Sequence, residues 1–489
     1  VAVVGSRGTG PETALLADLR AAVGPRFVLT SPAEHALYAR DASALAPGDP
    51  GIVVLPATTA EVAAVVAIAA RHGRPITPRG SGTGLAGGAL PVDRPVVVVT
   101  ARMNRLIEVD PVERTAWVEP GMLNLDLTRE VHRLGHHVHY APDPSSQQSC
   151  SIGGNVGTNA GGPHCLLHGV TSAHVLAVEV VLADGEVVVL GSDVPDRPGY
   201  DLRGLFVGSE GTMGVCTRVL VRLMPDPPDV RTFLADFGSI RAASQAVSDV
   251  IASGVLPAAL EMMDATCIAA VERFAGAGLP LDAAAVLLVE IEGLPEGVEA
   301  EASVVREALL AAGARGVRVA ADAAERALLW KARKSAFGAV ANIKPNYELH
   351  DTVVPRTRLV DVMEQVVEIA RRHELIVLNV FHAGDGNLHP LLVFDRREPG
   401  VQERVHQAGR EIVEASIAAG GVLSGEHGIG LEKRDFMPLL FSPTDLDHQW
   451  VARQVFDPEG RCNPTKVLPG GSRCREIGGR LPDGEGLWV

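Results

Sequence analysis

The chain reads as an α+β protein of two lobes, and three features of the sequence predict it. Its 489 residues exceed what one ordinary hydrophobic core accommodates, so two or three packed units are expected. Hydrophobic residues make up 46% and charged residues 21%, the balance of a globular chain and not of a disordered one. Strand-like and helix-like segments follow one another up to about Val221, and the Pro-rich run MPDPPDVR (224–231) then breaks the pattern. Strand–helix–strand–helix units suited to an antiparallel sheet come after it. The expected division is an N-terminal helical segment (1–46), a first domain (47–224), a second domain with an antiparallel sheet and C-terminal helices (225–470), and a peripheral tail (471–489).

In order along the chain, Pro11 and Glu12 suit a first helical turn with Thr9 as cap, and TALLADLRAAVG continues that helix to Gly24. GIVVLP (51–56) is a short buried strand. Thr58 with Glu61 forms a capping-box start, Val62, Val65, Val66 and Ala69 share one helical face, and Gly73 ends the helix. PVVVVT (95–100), TAWVEP and the ADG-containing hairpin VLAVEVVLADGEVVVL supply further strands. Beyond the Pro-rich break come strand FLADF, helix IRAASQAVSDVIASG, strands AALEMMD and AVLLVEIEG, and helices near 299–313 and 322–341. A strand near 348–354, a helix at 356–373, the strand pair LIVLNVFH and LHPLLVF, and a helix at 402–419 complete the series.

Charge and composition exclude several classes. A formal net charge of −15 argues against a nucleic-acid binder, which presents a basic face to phosphates, and against a polybasic membrane anchor. No apolar run is long enough to span a bilayer, and VAVVGSRGTGPE lacks the pattern of a signal peptide. The six cysteines form no CxxC, so neither a zinc knuckle nor a disulfide framework is indicated, and a reducing cytoplasm is the expected location.

The densest motif is PRGSGTGLAGGALP (78–91). Gly82, Gly84 and Gly87 satisfy GxGxxG, but the nicotinamide-type fingerprint must open a helix, and here a strand follows. The loop's chemistry survives that failure. Glycines let backbone N–H groups line an anion-binding nest, and Ser81 and Thr83 add hydroxyl donors. A merely flexible loop is the alternative; glycine at five of the nine positions 80–88 favours a ligand. A second cluster, PDPSSQQSCSIGGNVGTNAGG (142–162), and a third, GSEGTMGV (208–215), are small and polar. Three such loops in one domain can surround a long dinucleotide.

NVFHAGDGNLHPLLV (379–393) reads as two apolar strands around a GDGN turn. With Gly384–Asn387 as the loop, Ala383 pairs with Leu388 and His382 with His389. Directly opposed residues share a face with Cβ atoms about 4.5–5.5 Å apart, so the two imidazoles can hold one divalent ion. SGEHGIGLEKRDFM (424–437) adds Glu426 and His427 between Gly425, Gly428 and Gly430. On such an irregular backbone one of the pair can ligate while the other faces substrate; an ordinary charged turn is the alternative. Arg333 is the candidate for a substrate carboxylate, which a guanidinium binds bidentately, against the alternative that Lys331, Arg333 and Lys334 form a solvated helix face. Asn387 is a candidate polar contact, Lys433 a supporting or surface residue, and His136, His137, His139, His164 and His168 are read as structural or exposed.

These loops resemble the FAD-binding domain of vanillyl-alcohol oxidase type flavoproteins. The chain is similar to their branch of glycolate oxidase catalytic subunits and D-lactate or D-2-hydroxyglutarate dehydrogenases, from about Tyr38 to NPTKVLP (463–469). The resemblance implies a two-lobed FAD-binding domain with an α+β cap. It places the pyrophosphate at Arg79, Gly80, Ser81, Gly82, Thr83 and Gly84. The flavin and ribityl region falls at Pro142, Ser146, Gly153, Gly154, Gly157, Thr158 and Asn159, and the adenine end near Glu210, Gly211 and Val215. Positions 78–91 contain no His or Cys, so the FAD is expected to be noncovalent. The motifs HxGDGNLH and GEHG imply metal ligands His382, His389 and Glu426 and a catalytic base, His427, with Zn²⁺ expected and Mn²⁺ or Fe²⁺ open.

The implied reaction is oxidation of a (D)-2-hydroxy acid to the 2-oxo acid with hydride transfer to flavin N5. The alternatives are a non-redox enzyme of the alkyl-glycerone-phosphate synthase type and an FAD-holding electron-transfer subunit. The implied partners are the small hydroxy-acid substrate and an electron acceptor, with an iron–sulfur or second flavin subunit among the candidates.

Overall fold

The computed structural model describes residues 11–194 and 198–470. The expected cap Thr9 and the tail 471–489 lie outside the described residues. The first helix runs Pro11–Val23 and stops at Gly24, whose φ is +87°.

Two sheets build the first lobe. In one, strands Ile52–Val54, Val96–Val99 and Ile76–Arg79 lie parallel, with Val28–Leu29 antiparallel at the edge. Their near-unbroken valine runs are buried throughout, as expected of parallel strands covered on both faces. The other sheet is antiparallel, in the order Leu106–Asp110, Thr115–Val118, Val215–Arg222, Val175–Val181, Val187–Gly191. The helix Thr59–Arg71 is capped by Thr58 Oγ1, which accepts from Glu61 N; the Glu61 carboxylate reaches back to Ala57 N instead of Thr58 N. Of the expected N-terminal segment 1–46, the described part packs into the first lobe: Val28–Leu29 extends the first sheet, and Leu15 and Leu19 share a core with Val62, Val65 and Val98.

The second lobe is one nine-stranded antiparallel sheet. Its spine is Ala314–Val319, Asp229–Phe237, Ala285–Gly293, Ala259–Asp264 and Ile376–His382. Helices Ile240–Ala252, Pro295–Ala311, Leu359–Arg372 and Val401–Ala418 cover one face. Each fully buried Val or Leu there, such as Val247 or Leu309, contributes about 1.5–3 kcal/mol relative to exposure. Helix Ala265–Ala275 and strand Ala314–Val319 were not anticipated, and the helix expected over 322–341 breaks at Ser335 into Ala323–Lys334 and Ala336–Val340. Asp264 has two tasks. Oδ1 caps helix 265–275 at Cys267 N, and Oδ2 accepts from Asn379 N and Nδ2, which pins the strand that ends at His382. Burial raises its pKa to about 6.

After helix Pro443–Phe456 the chain returns to the first lobe. Asn463 N donates to Ile76 O, Asn463 Nδ2 to Gly88 O and Glu210 O, and Lys466 Nζ to Leu90 O. The turn that does this holds three non-glycine residues in the left-handed region: Asn463 (φ 42°), Thr465 (φ 68°) and Val467 (φ 68°). The Thr465 hydroxyl has no hydrogen-bond partner. Among the described residues no helix is long and apolar enough to cross a membrane.

Thr465→Gly removes the left-handed penalty at a site whose side chain makes no hydrogen bond. It should stabilise the protein by about 1 kcal/mol, read as a raised denaturant midpoint with unchanged slope. A lowered midpoint contradicts the strained turn.

Candidate active site

The loop from Gly80 joins two neighbouring parallel strands, Ile76–Arg79 and Val96–Val99, without a helix between them. It forms one wall of a cavity of about 430 Å³ between the lobes. The backbone N–H groups of Ser81, Gly82, Thr83 and Gly84 donate to no group among the described residues, so a nest of free donors faces the cavity. Gly82 sits at φ +74°, and a Cβ there meets the Arg79 guanidinium; at Gly84 and Gly157 nothing lies within 4 Å, so a ligand can approach the backbone itself. The facing wall is helix Ile152–Thr158, capped by Ser151 Oγ at Gly154 N. The cradle and its free donors fit the pyrophosphate and ring system of a dinucleotide.

Arg79, Gly80–Gly84, Ser146, Gly153, Gly154, Gly157, Thr158, Glu210, Gly211 and Val215 all line this cavity. Pro142 and Asn159 do not. Pro142 O accepts from Asn124 Nδ2, and Asn159 is the left-handed cap of helix 152–158, its side chain accepting from Ser172 N. Glu210 does more than line the wall: Oε1 accepts from Ile429 N and Gly430 N, tying the first lobe to the turn after His427.

Glu426 and His427 also line this cavity. The register of the supporting hairpin differs from expectation. His382 pairs with Asn387 and Asn379 with Pro390, around an Ala383–Gly386 turn with Gly386 at φ +73°. His382 and His389 are therefore diagonal neighbours, not directly opposed. The slip is even, so both rings keep one face. Their centroids are 5.0 Å apart and nearly perpendicular. His382 Nε2 and His389 Nε2 each lie 3.2 Å from Glu426 Oε1, and one donor atom from each of the three falls within 4.8 Å of the others. Both ring nitrogens of His389 are buried without a hydrogen-bond partner, which a metal ion at Nε2 relieves. Burial opposes charge on His382, but Glu261 and Glu426 outweigh it and raise its pKa to about 10. The point between these carboxylates demands positive charge, which a divalent cation supplies.

His427 stacks on His389 with centroids 5.0 Å apart. Burial lowers its pKa to about 4 despite Asp351, so the ring is a neutral base at pH 7. Arg333 is neither a solvated helix residue nor part of the cavity wall. It is 1% exposed, and Nη2 lies 2.5 Å from Glu261 Oε2, one layer behind His382. Its neighbour Lys334 does line the cavity, as do Phe337 and Tyr347, and Lys334 Nζ lies 3.1 Å from Asp143 Oδ2. Lys433 is buried against Asp351, at 3.4 Å. The sequence expectations did not include Glu261 or Asp351, and they named Lys334 only as part of a solvated helix face. Glu261 carries a readable signal, an acid between apolar residues of the strand-like run AALEMM.

His164, read as structural or exposed, joins the lobes. Nδ1 is 2.9 Å from Asp143 and Nε2 3.1 Å from Glu290, which also accepts from Trp330 Nε1. His168 pairs with Glu292 at 2.9 Å.

The family comparison agrees with this architecture. Residues 50–191 match the FAD binding domain model, and residues 226–467 match the FAD linked oxidases, C-terminal domain. The chain belongs to the FAD-linked oxidase family and is a flavin-dependent oxidoreductase of the vanillyl-alcohol oxidase fold. It is 45% identical over 467 residues to the glycolate oxidase subunit GlcD of Escherichia coli K12, covering 96% of this chain and 93% of that one. It is 38% identical to the GlcD of Bacillus subtilis (94% and 97% covered) and 30% identical to the D-lactate dehydrogenase of Anaerostipes hadrus (91% and 95%). In fold it is similar to p-cresol methylhydroxylase (TM-score 0.79, 18% identity, 94% and 98% covered). An alkyldihydroxyacetonephosphate synthase matches at TM-score 0.71 with 17% identity (95% and 86% covered), a likeness of fold alone that does not favour the non-redox alternative.

The His164 bridge has a pH signature. Burial disfavours the charged ring, but Asp143 and Glu290 outweigh it and raise its pKa to about 10, above the unfolded value of 6.5. Its stabilisation is full below pH 6.5 and is lost as pH rises through 10. Urea midpoints should fall across that window, and His164→Gln should flatten the fall while lowering the midpoint at pH 6.5. Parallel profiles for the two proteins refute the bridge.

Proposed function

We propose that the chain oxidises a small (D)-2-hydroxy acid to the 2-oxo acid, using noncovalent FAD and one divalent metal, expected to be Zn²⁺. One observation carries this reading: the half-buried His427 stacks on His389 of the His382–His389–Glu426 cluster and, with Glu426, lines the glycine-rich cavity. The names of the relatives, glycolate oxidase subunit and D-lactate dehydrogenase, support the substrate class.

When bound, FAD supplies a two-electron acceptor at N5 for the C2 hydride, and the metal polarises the hydroxyl oxygen. The chain's own residues do the rest. Ser81–Gly84 offer their free N–H groups to the pyrophosphate, and His382, His389 and Glu426 hold the cation. His427 takes the hydroxyl proton as general base. Lys334, on the same wall, meets the substrate carboxylate in the place first assigned to Arg333. Phe337 and Tyr347 line that region of the cavity and limit water beside the reacting carbon. Electrons then leave to a partner, expected to be an iron–sulfur or second flavin subunit; the relatives' names, glycolate oxidase subunit, support a partner subunit of some kind.

Anaerobic mixing with glycolate, D-lactate or D-2-hydroxyglutarate should bleach the flavin absorbance; no bleaching with any 2-hydroxy acid removes the proposal. His427→Ala should keep its FAD and lose about 100-fold or more in the reduction rate. Lys334→Ala should raise KM for the preferred acid roughly 10-fold or more with kcat little changed, and an unchanged KM returns the carboxylate to another residue.

A further inference from the structure

We infer that Glu261 and Asp351 are a matched pair of positioning residues, each fixing one metal-ligating imidazole from behind. The inference rests on the metal reading above and adds to it the groups that aim the ligands. His382 Nδ1 lies 2.8 and 2.9 Å from the two oxygens of Glu261, on the side of the ring away from Glu426. A carboxylate only accepts, so Nδ1 carries a proton toward Glu261, and Nε2 is the ring atom turned to Glu426, the one a cation at that point would meet once its own proton has left. Glu261 sits opposite His382 in the neighbouring strand, so the sheet itself sets this contact.

Asp351 stands behind His389 at a longer distance, and its other oxygen lies equally far, 3.8 Å, from His427 Nδ1. His389 Nδ1 and Asp351 Oδ1 face each other at 3.8 Å, and neither has another hydrogen-bond partner. The gap is roughly 0.6 Å beyond hydrogen-bond reach, which a small ring rotation closes. The other oxygen, Oδ2, accepts from Ser424 Oγ (2.6 Å), Gly425 N (3.1 Å), Glu426 N (3.2 Å) and His427 N (2.9 Å). One carboxylate thus orients His389 and shapes the turn that presents Glu426 and His427.

Each carboxylate is neutralised by its own buried cation, Glu261 by Arg333 and Asp351 by Lys433. The two units, Arg333–Glu261–His382 and Lys433–Asp351–His389, converge on Glu426 from two sides. An unpaired carboxylate at either place is costly to bury, whereas a neutralised one can hold an imidazole tautomer without solvent.

The test is Zn²⁺ affinity of the full-length flavoprotein, measured by competition with a chelating indicator, alongside FAD stoichiometry and thermal melting. In Asp351→Asn, the amide nitrogen turned toward His389 Nδ1 favours the tautomer with the proton on Nε2. This variant should bind Zn²⁺ about 10- to 100-fold more weakly at unchanged FAD content. Because Glu261→Leu alone strands a buried guanidinium and can unfold the lobe, the second variant is Glu261→Leu with Arg333→Met, an apolar replacement of similar volume. It should melt near the wild-type temperature and still bind Zn²⁺ about 10- to 100-fold more weakly. Wild-type Zn²⁺ affinity in both folded variants overturns the inference, since a purely structural ion pair predicts that result. Failure of the wild-type flavoprotein to bind Zn²⁺ or Mn²⁺ at all is a different outcome: it removes the metal reading, and the positioning role falls with it.

Discussion

Charge buried away from water must be paired, and this constraint organises the catalytic end of the molecule. Asp351 is fully buried, and burial alone works against its anion; His427, Lys433 and His389 outweigh that and hold its carboxyl well below the usual range. Around it a turn of alternating glycines folds so that its backbone N–H groups point inward. A Cβ at Gly425 meets the Asn387 amide and one at Gly428, where φ is +87°, meets Glu210, so the turn can close on the carboxylate only with glycine at both places. Without that acceptor the backbone donors of the turn lose their partner, and Glu426 and His427 lose their directions.

The same turn couples the site to the cofactor cradle. Glu210, on the first lobe, accepts from Ile429 and Gly430, and the C-terminal return from Asn463 to Lys466 holds Gly88, Leu90 and the Glu210 carbonyl. His427 and the glycine loop are thus tied to common residues although they lie nearly 350 positions apart in sequence. A second link between the lobes is His164, which joins Asp143 of the first with Glu290 of the second, and Lys334 reaches the same Asp143 at 3.1 Å. The cavity between the lobes is held by buried or half-buried polar contacts, and its lining is mostly glycine, serine and small apolar groups.

Much of this was legible in sequence. Valine runs, capping residues and periodic faces marked most of the strands and helices. The glycine clusters marked the cavity, because only a backbone that must approach a ligand closely concentrates glycine so strongly. The HxGDGNLH and GEHG segments carried the three candidate ligands and the base, and the even slip in register left both imidazoles on one face. Helix 265–275 was missed because its apolar residues follow directly on a strand, with Asp264 ending one element and capping the other.

The sequence by itself determined which residue types are available for the chemistry: a glycine nest, two histidines flanking a tight turn, and an acid beside a histidine between glycines. Local pattern suffices there, since turn chemistry and close backbone approach are properties of neighbouring residues. Only the tertiary structure decided which charges are spent on one another. Arg333 and Lys334 are adjacent in the chain, yet the packing of strand Ala259–Asp264 buries the first against Glu261, while the second lies on the cavity wall paired with Asp143. Pairing across more than seventy residues depends on sheet order and on the low dielectric of the interior, and neither is encoded in any local spacing.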